Sequence, residues 1–500
     1  MAPRMIRSLL IANRGEIAVR IARSCRELGV RSILASAEDE MRAWPSRAVD
    51  EVVSLGSGDA RATYLNVDAV IDAARRTGAE AIHPGYGFLS ERPELAAACA
   101  DAGIAFVGPP AEAIEAMGSK AGSRALMEKL GVPVVPGYHG EDQSDETMEA
   151  EAARIGFPVL VKASAGGGGK GMKIAFEARD LREALASARR EAAKAFGNDR
   201  LLLEKYIVRP RHVEFQVFAG PDGQVTHLFE RDCSIQRRHQ KVLEESPAPR
   251  FDQDLRARMA ESAVRAASGI GYRNAGTVEF ILSPEGEYFF LEMNTRLQVE
   301  HPVTEMVVGV DLVRAQLHVA SGLPLPWKQE DLGQRGHAIE ARIYAEDPDR
   351  GFLPQTGTIE RVDWPAGAGI RVDSGVAAGS VVGVHYDPML AKIIAWGESR
   401  DLAIDRLRRA LGELVLLGTS TNVSWLRRVL DHPSFREGNV HTHVLTDFQA
   451  DLAAPADRTA VAVAGVLSSV LGSRIGARAV NATEAETPTV WERAGEWGRG

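Results

Sequence analysis

The run Ala165-Gly166-Gly167-Gly168-Gly169-Lys170-Gly171 is the most conspicuous candidate for chemistry in the sequence. Glycines let a backbone approach phosphate oxygens closely and turn several N–H groups towards them. Lys170 is followed by Gly171 and then by a strand pattern, so this is not the phosphate loop that ends in Gly-Lys-Ser/Thr before a helix. Taken alone, the segment also reads as a flexible hairpin tip. Lys162, at the end of the preceding strand, offers a cation to the same phosphates and favours the nucleotide reading.

A second constellation lies in the hairpin 277–294. With Glu285-Gly286 as a two-residue turn, Glu279 falls directly opposite Glu292, with Cβ atoms about 4.5–5.5 Å apart. Two carboxylates so placed repel unless a cation sits between them. Asn294, two residues beyond Glu292, shares their face. Two carboxylates and an amide oxygen make an all-oxygen site suited to Mg²⁺ or Mn²⁺; a solvated polar face is the alternative. Read as a continuing strand, the next residues place Arg296, Gln298 and Glu300 on one side. That side offers a carboxylate base beside a guanidinium able to clamp an oxyanion, or else a surface salt bridge.

His212, Glu214 and Gln216 alternate with Val213, Phe215 and Val217, and downstream come Gln236, Arg237, Arg238, His239 and Lys241. So dense a cationic cluster in a chain of net charge −9 fits an anion pocket. His83 and the His441/His443 pair are read as structural and receive no role.

These residues need a scaffold, and the composition bounds it. The chain has 500 residues, 45% hydrophobic and 25% charged, which suits a globular protein of several domains. The negative net charge gives no general attraction for nucleic acid. The three cysteines, Cys25, Cys99 and Cys233, form no CxxC pair, which argues against a disulfide framework or a cysteine-built zinc site. The N-terminus lacks a signal-peptide core, and the apolar run 459–472 is shorter than the about 20 residues a membrane span needs. A cytoplasmic protein with no membrane segment is therefore expected.

From Ser8 to about Pro110, short apolar runs (SLLIAN, RSILAS, EVVSLG, EAIHPG, IAFVGP) alternate with helical patterns. This implies a doubly wound parallel α/β domain. Ile17, Ile21, Cys25 and Leu28 mark one helical face closed by Gly29. The middle of the chain reads as antiparallel hairpins, one of them about Pro221-Asp222-Gly223, with a helix N-capped by Asp180 and a capping box completed by Glu183. More short strands and the helix DLAIDRLRRALGEL follow to Leu445. Residues 451–500 read as one helix plus a poorly ordered segment.

Several segments resemble those of biotin carboxylases: IANRGEIAVRI, AIHPGYGFLSE, KASAGGGGKGM, PRHVEFQV, ERDCSIQRRHQKVLEESPAP and EMNTRLQVEHPVTEMVVGVDL. The resemblance covers about residues 5–447, and HYDPMLAKIIAW and HPSFREGNVHT look closest to acyl-CoA carboxylase α subunits of the methylcrotonyl-CoA type. The glycine run departs from some members, which show glycine and arginine where Ala165 and Lys170 stand here. The resemblance implies an N-terminal α/β domain (5–115), an ATP-grasp core (116–334) with a mobile lid (135–203), and a mixed α+β C-terminal domain (335–447). Residues 448–500 would be a linker or the start of a linking domain, and no AMKM-like biotinylation tetrapeptide is present, so the carrier domain is expected to be absent.

By the same resemblance, Lys120, Lys162, Gly168, Gly169 and His212 contact the ATP phosphates, and Glu204, Lys205 and Ile207 line the adenine site, with Gln236 and His239 nearby. Glu279, Glu292 and Asn294 hold Mg²⁺ or Mn²⁺. Glu300 deprotonates bicarbonate held by Lys241, Arg296, Gln298 and the backbone of Val299, giving carboxyphosphate. Arg342 stabilises the enolate of biotin, which is a carrier-linked substrate. The implied partners are a biotin carboxyl carrier domain and a carboxyltransferase β subunit, in an oligomer. Another ATP-grasp ligase, such as a carbamoyl-phosphate synthetase, and a non-catalytic ATP-binding scaffold are the alternatives.

Overall fold

The computed structural model describes residues 4–163, 172–196, 199–238 and 240–453. The glycine run with Gly168 and Gly169, His239, and the tail from 454 lie outside the described residues. Met1–Leu452 form one compact unit.

The N-terminal strands order as Glu51–Ser54, Arg31–Ser36, Ser8–Ile11, Ala81–His83 and Ala105–Phe106, all parallel. The first strand is buried along its whole length. Alternation sends Leu9 and Ile11 into one hydrophobic layer and Leu10 into the other, which is why it is a continuous apolar run rather than an alternating one. Helix Gly15–Leu28 buries Ile17, Ile21 and Cys25 as expected. It stops at Gly29, whose φ of 68° lets its N–H and that of Val30 reach back to the carbonyls of Arg26 and Cys25.

The centre is an eight-stranded antiparallel sheet. Its order is Tyr288–Asn294, Asn274–Leu282, Arg211–Ala219, Val225–Arg237, Gln240–Ser246, His337–Tyr344, Met389–Gly397 and Ile370–Ser374. The sheet runs unbroken from the hairpin strands into the C-terminal ones, because Gln240–Ser246 pairs with His337–Tyr344. Lys241, Glu244 and Arg342 thereby share one sheet although about a hundred residues separate Arg342 from the other two. Helix Arg400–Glu413 covers the C-terminal strands through Ala403, Ile404, Leu407, Ala410 and Leu411. A smaller sheet, ordered Gly137–Tyr138, Leu201–Lys205, Val159–Ala163 and Lys173–Ala175, packs with helices Asp145–Ile155 and Ala178–Phe196 around its own apolar cluster.

Three local expectations change. The turn of the metal-site hairpin is longer than two residues: Ser283 N–H bonds Glu287 O, with Gly286 at φ 89° inside the loop. That turn sets Leu282 opposite Tyr288, one residue off the expected register, and an irregularity at the exposed Leu291 restores Glu279 opposite Glu292. Asp180 does not N-cap its helix. It lies inside Ala178–Phe196 and its carboxylate accepts from the N–H of Glu177, so Glu183 completes no capping box with it. Residues 295–299 form no strand, because helix His301–Val308 starts immediately after Glu300 and carries Pro302 in its first turn. Among the described residues, no helix is long and apolar enough to cross a membrane.

Candidate active site

Lys241 is the hub of the site. Its ammonium lies 2.7 Å from Glu214 Oε2, 3.0 Å from Glu279 Oε1 and 2.6 Å from Glu300 Oε1. The three carboxylates come from strand Arg211–Ala219, strand Asn274–Leu282 and the residue preceding helix His301–Val308. Burial lowers the ammonium's pKa, but the acidic groups around it, Glu214, Glu279 and Glu300 among them, outweigh that and hold Lys241 well above its ordinary range. It is a fixed positive charge.

Glu300 divides its oxygens between two cations: Oε1 on Lys241, and Oε2 accepting from Arg342 at 3.0 Å. Burial raises its pKa, yet Lys241, Arg342 and Arg231 overcome this and hold the carboxyl well below the usual range. The resting site therefore presents an ionised carboxylate. An anion that draws Lys241 towards itself weakens this hold and makes Glu300 a stronger base.

Arg231 supports both sides of the site. Its buried guanidinium donates to Glu214, Gln216, Thr304, Thr277 and Gln298. Gln298 in turn donates to Glu279 Oε1 at 2.6 Å. Lys392, fully buried in strand Met389–Gly397, donates to the carbonyl of Val299 at 2.7 Å and lies 3.2 Å from Glu16 Oε1. The turn 298–300 is thus held from both sides. Arg296 donates to Asn294 Oδ1 at 2.7 Å and lies 3.2 Å from Glu91.

The residues expected to hold a metal lie together on the hairpin. Glu279 and Glu292 are opposed, and Asn294 donates to Glu279 at 2.8 Å. His212 Nε2 is 2.7 Å from Glu279 Oε2, at an angle that makes it an ion-pair contact rather than a hydrogen bond, while Gln236 meets His212 Nδ1 at 2.7 Å. Glu292 has no hydrogen-bond or ion-pair partner among the described residues. Although Glu292 is exposed, partial desolvation of its carboxyl and the facing Glu279 push its pKa up, with Lys120 the leading opposing charge. With no side-chain partner to displace, Glu292 joins Glu279 in offering hard oxygen donors that fit a divalent cation; Asn294 Oδ1, which accepts from Arg296, would have to turn to join them.

On the small sheet, Glu204 is clamped by Arg124 and Lys162, so the expected phosphate lysine and the expected adenine-site residue are joined by an ion pair. Ile207 is buried nearby in sequence. The Lys205 ammonium turns away to the carbonyls of Gly156 and Phe157, 2.9 Å from each. A cavity of about 480 Å³, lined by Arg14, Trp44, Tyr64 and Tyr386, lies apart from all these side chains.

Arg231, Lys392, Glu16, Glu244 and Arg124 were not among the residues expected from the sequence. A charged residue inside an otherwise apolar strand, as Lys392 is in MLAKIIAW, is the signal that would have marked some of them.

Comparison with known proteins identifies relatives along nearly the whole described chain. The biotin carboxylase N-terminal domain family matches residues 5–114, and the biotin carboxylase C-terminal domain family matches 340–447. The carbamoyl-phosphate synthase L chain ATP binding domain family matches 119–328 between them. The chain is 51% identical over 451 residues to the mitochondrial methylcrotonoyl-CoA carboxylase subunit alpha of Dictyostelium discoideum, covering 90% of this chain and 64% of that protein. It thus spans less than two thirds of that relative. It is 48% identical over 445 residues to biotin carboxylase 1 of Bacillus subtilis, covering 89% of this chain and 99% of that one. Among solved structures, the biotin carboxylase domain dimer of Hydrogenobacter thermophilus 2-oxoglutarate carboxylase, in complex with MgADP, ADP and bicarbonate, aligns with a TM-score of 0.82 and 44% identity. That match covers 90% of this chain and 100% of that one. Fold and site together define an enzyme of the ATP-grasp class. The chain belongs to the biotin carboxylase family.

Proposed function

We propose that this protein is the biotin carboxylase component of an acyl-CoA carboxylase, an ATP-dependent ligase that carboxylates biotin with bicarbonate. The observation that carries the reading is the arrangement around Lys241: one ammonium joins the face fitted for a divalent cation, through Glu279, to the ionised base Glu300. Biotin carboxylase domains flank the ATP-binding segment on both sides, which favours this reading over another ATP-grasp ligase.

Bicarbonate would bind between Lys241, Arg296, Gln298 and the backbone of Val299, whose carbonyl Lys392 holds still. Its negative charge would draw Lys241 off Glu300, and Glu300 would take the proton as a bicarbonate oxygen attacks the γ-phosphorus of ATP. The β,γ-bridging P–O bond would break, releasing ADP and leaving carboxyphosphate. A divalent ion held by Glu279, Glu292 and the Asn294 amide would neutralise charge on the transferring phosphoryl group. Lys120, Lys162, His212, Gly168 and Gly169 would contact the phosphates, and Glu204, Lys205 (by its backbone), Ile207, Gln236 and His239 the nucleotide. Carboxyphosphate would decompose to CO₂ and phosphate, phosphate would remove the biotin N1 proton, and the nitrogen would then attack CO₂ to form the N–carboxyl bond. Arg342 faces the resulting enolate oxygen.

The carboxyl group would then leave on biotin carried by a separate carrier domain, for a carboxyltransferase β subunit to use, within an oligomer. Methylcrotonyl-CoA is the acyl-CoA favoured by the similarity to methylcrotonoyl-CoA carboxylase α subunits, and the cytoplasm is the proposed location. ATP cleavage measured with bicarbonate and biotin omitted in turn tests the reading. Cleavage should require bicarbonate and rise with biotin; cleavage indifferent to both would overturn it.

A further inference from the structure

Strands Gln240–Ser246 and His337–Tyr344 set Glu244 directly opposite Glu340. Both side chains are buried, with 1% and 0% of their surface exposed. Three of their four oxygens, Glu244 Oε2 and both oxygens of Glu340, have no hydrogen-bond partner. The fourth, Glu244 Oε1, accepts from Arg342 Nε at 2.6 Å. Two ionised carboxylates cannot face each other this way in a sheet interior, since each would lack both water and a cation.

Among the described residues no cation forms a hydrogen bond or ion pair with Glu340, although the charge of Lys392 bears on it. Lys392 gives its hydrogen bond to the Val299 carbonyl and its charge to Glu16, and Arg342 is divided between Glu244 and Glu300. The remaining charged neighbours are Glu300 and, beyond Glu244, Lys241. His301, on the helix packed against this strand, is kept neutral by burial and by Lys392. One proton placed between the carboxyls removes one of the two charges and gives one unpartnered oxygen of each residue a partner.

We propose that Glu244 and Glu340 share one proton across the ladder, and that Glu340 is thereby a positioning residue for Arg342. The acid of Glu340 donates to Glu244 Oε2, and Glu244 stays anionic towards the guanidinium. Burial points the same way, pushing Glu340 well above the usual carboxyl range and Glu244 up to about 7. The arrangement has a use in the proposed reaction, on whose reading Arg342's role rests. When Glu300 is protonated by bicarbonate, Arg342 loses that counterion, and Glu244 remains to hold its aim. The hydrogen bond from Glu340 also draws charge from Glu244, so Arg342 keeps positive charge for an oxyanion.

The test is infrared difference spectroscopy on the whole chain, ¹³C-labelled at glutamate, wild type against Glu340→Gln at neutral pH. A protonated-carboxyl stretch should be present in the wild type and missing in the variant. Its absence from the wild type, or its survival in the variant, would overturn the proposal. Kinetics separate positioning from a merely structural role. Glu340→Gln keeps a donor to Glu244 and should hold kcat/KM for biotin near the wild-type value. Glu340→Leu removes the donor and should lower it roughly tenfold, with biotin-independent ATP cleavage unchanged. Equal loss of both rates in a folded Glu340→Leu protein would contradict the positioning role. The infrared band needs no turnover, so a wild type that made no carboxybiotin would defeat the functional reading and still leave the dyad measurable.

Discussion

Lys241 Nζ stands 2.6 Å from Glu300 Oε1, and the same ammonium is 3.0 Å from Glu279 Oε1. The base and the face fitted for a divalent cation are therefore tied through one buried charge. Glu300→Gln keeps the shape and one acceptor but cannot take a proton. Bicarbonate-dependent ATP cleavage should fall on the order of 10²–10⁴-fold, with the ATP dissociation constant changed little. Steady-state rates alongside equilibrium nucleotide binding check this; equal losses in both would mean that Glu300 serves the nucleotide instead.

Glu292 faces Glu279, and among the described residues its side chain has no hydrogen-bond or ion-pair partner. Glu292→Gln removes a like-charge opposition, which should stabilise the metal-free protein by up to about 1 kcal/mol. The same change removes a carboxylate donor and should raise the Mg²⁺ concentration for half-maximal activity on the order of tenfold. Thermal unfolding in chelator, read beside an Mg²⁺ titration, separates the two effects.

Arg231 donates to five side chains in a fully buried position. Arg231→Met fills the volume but strips Glu214 of one of its two cations and leaves Gln298 without its donor. A loss of about 3–5 kcal/mol is expected, measured by urea unfolding.

His83 contributes to acid sensitivity, beside His227 and His301, whose rings burial also keeps neutral. Gly85 N–H donates to its Nδ1 and its Nε2 meets Gln316 Oε1, a neutral ring between two partners. Burial lowers its pKa to about 4. Because the folded value lies below the ordinary one of 6.5, the unfolded chain binds a proton first as pH falls. The stability from this group is complete above pH 6.5 and is lost towards pH 4, up to about 3 kcal/mol. Glu245 extends the decline. Burial raises its pKa, but Arg400 and His337 bring it to about 2, so its contribution disappears between about pH 4.5 and 2. A stability–pH series on the wild type and His83→Gln should differ mainly between pH 6.5 and 4.

The sequence made the parallel N-terminal sheet legible because its inner strands are buried apolar runs and helices such as Gly15–Leu28 close with glycine, as at Gly29. The opposition of Glu279 and Glu292 was legible through side-chain alternation, although the assumed turn was wrong and an irregularity at Leu291 restores the register. Residues 295–299 were misread as a strand because Arg296, Gln298 and Glu300 alternate, while Pro302 already begins a helix. What periodicity could not reveal is contact across sequence distance. That Arg342 meets Glu300, that Lys392 holds Val299 and that Glu244 faces Glu340 all depend on the order in which the central strands pair.

The most direct test of the central claim is transfer of label from ¹⁴C-bicarbonate to free biotin, in the presence of MgATP. The account predicts acid-labile labelled carboxybiotin that requires ATP and disappears in Glu300→Gln. ATP bound and cleaved without any labelled biotin, even with a biotinylated carrier domain supplied, would contradict it.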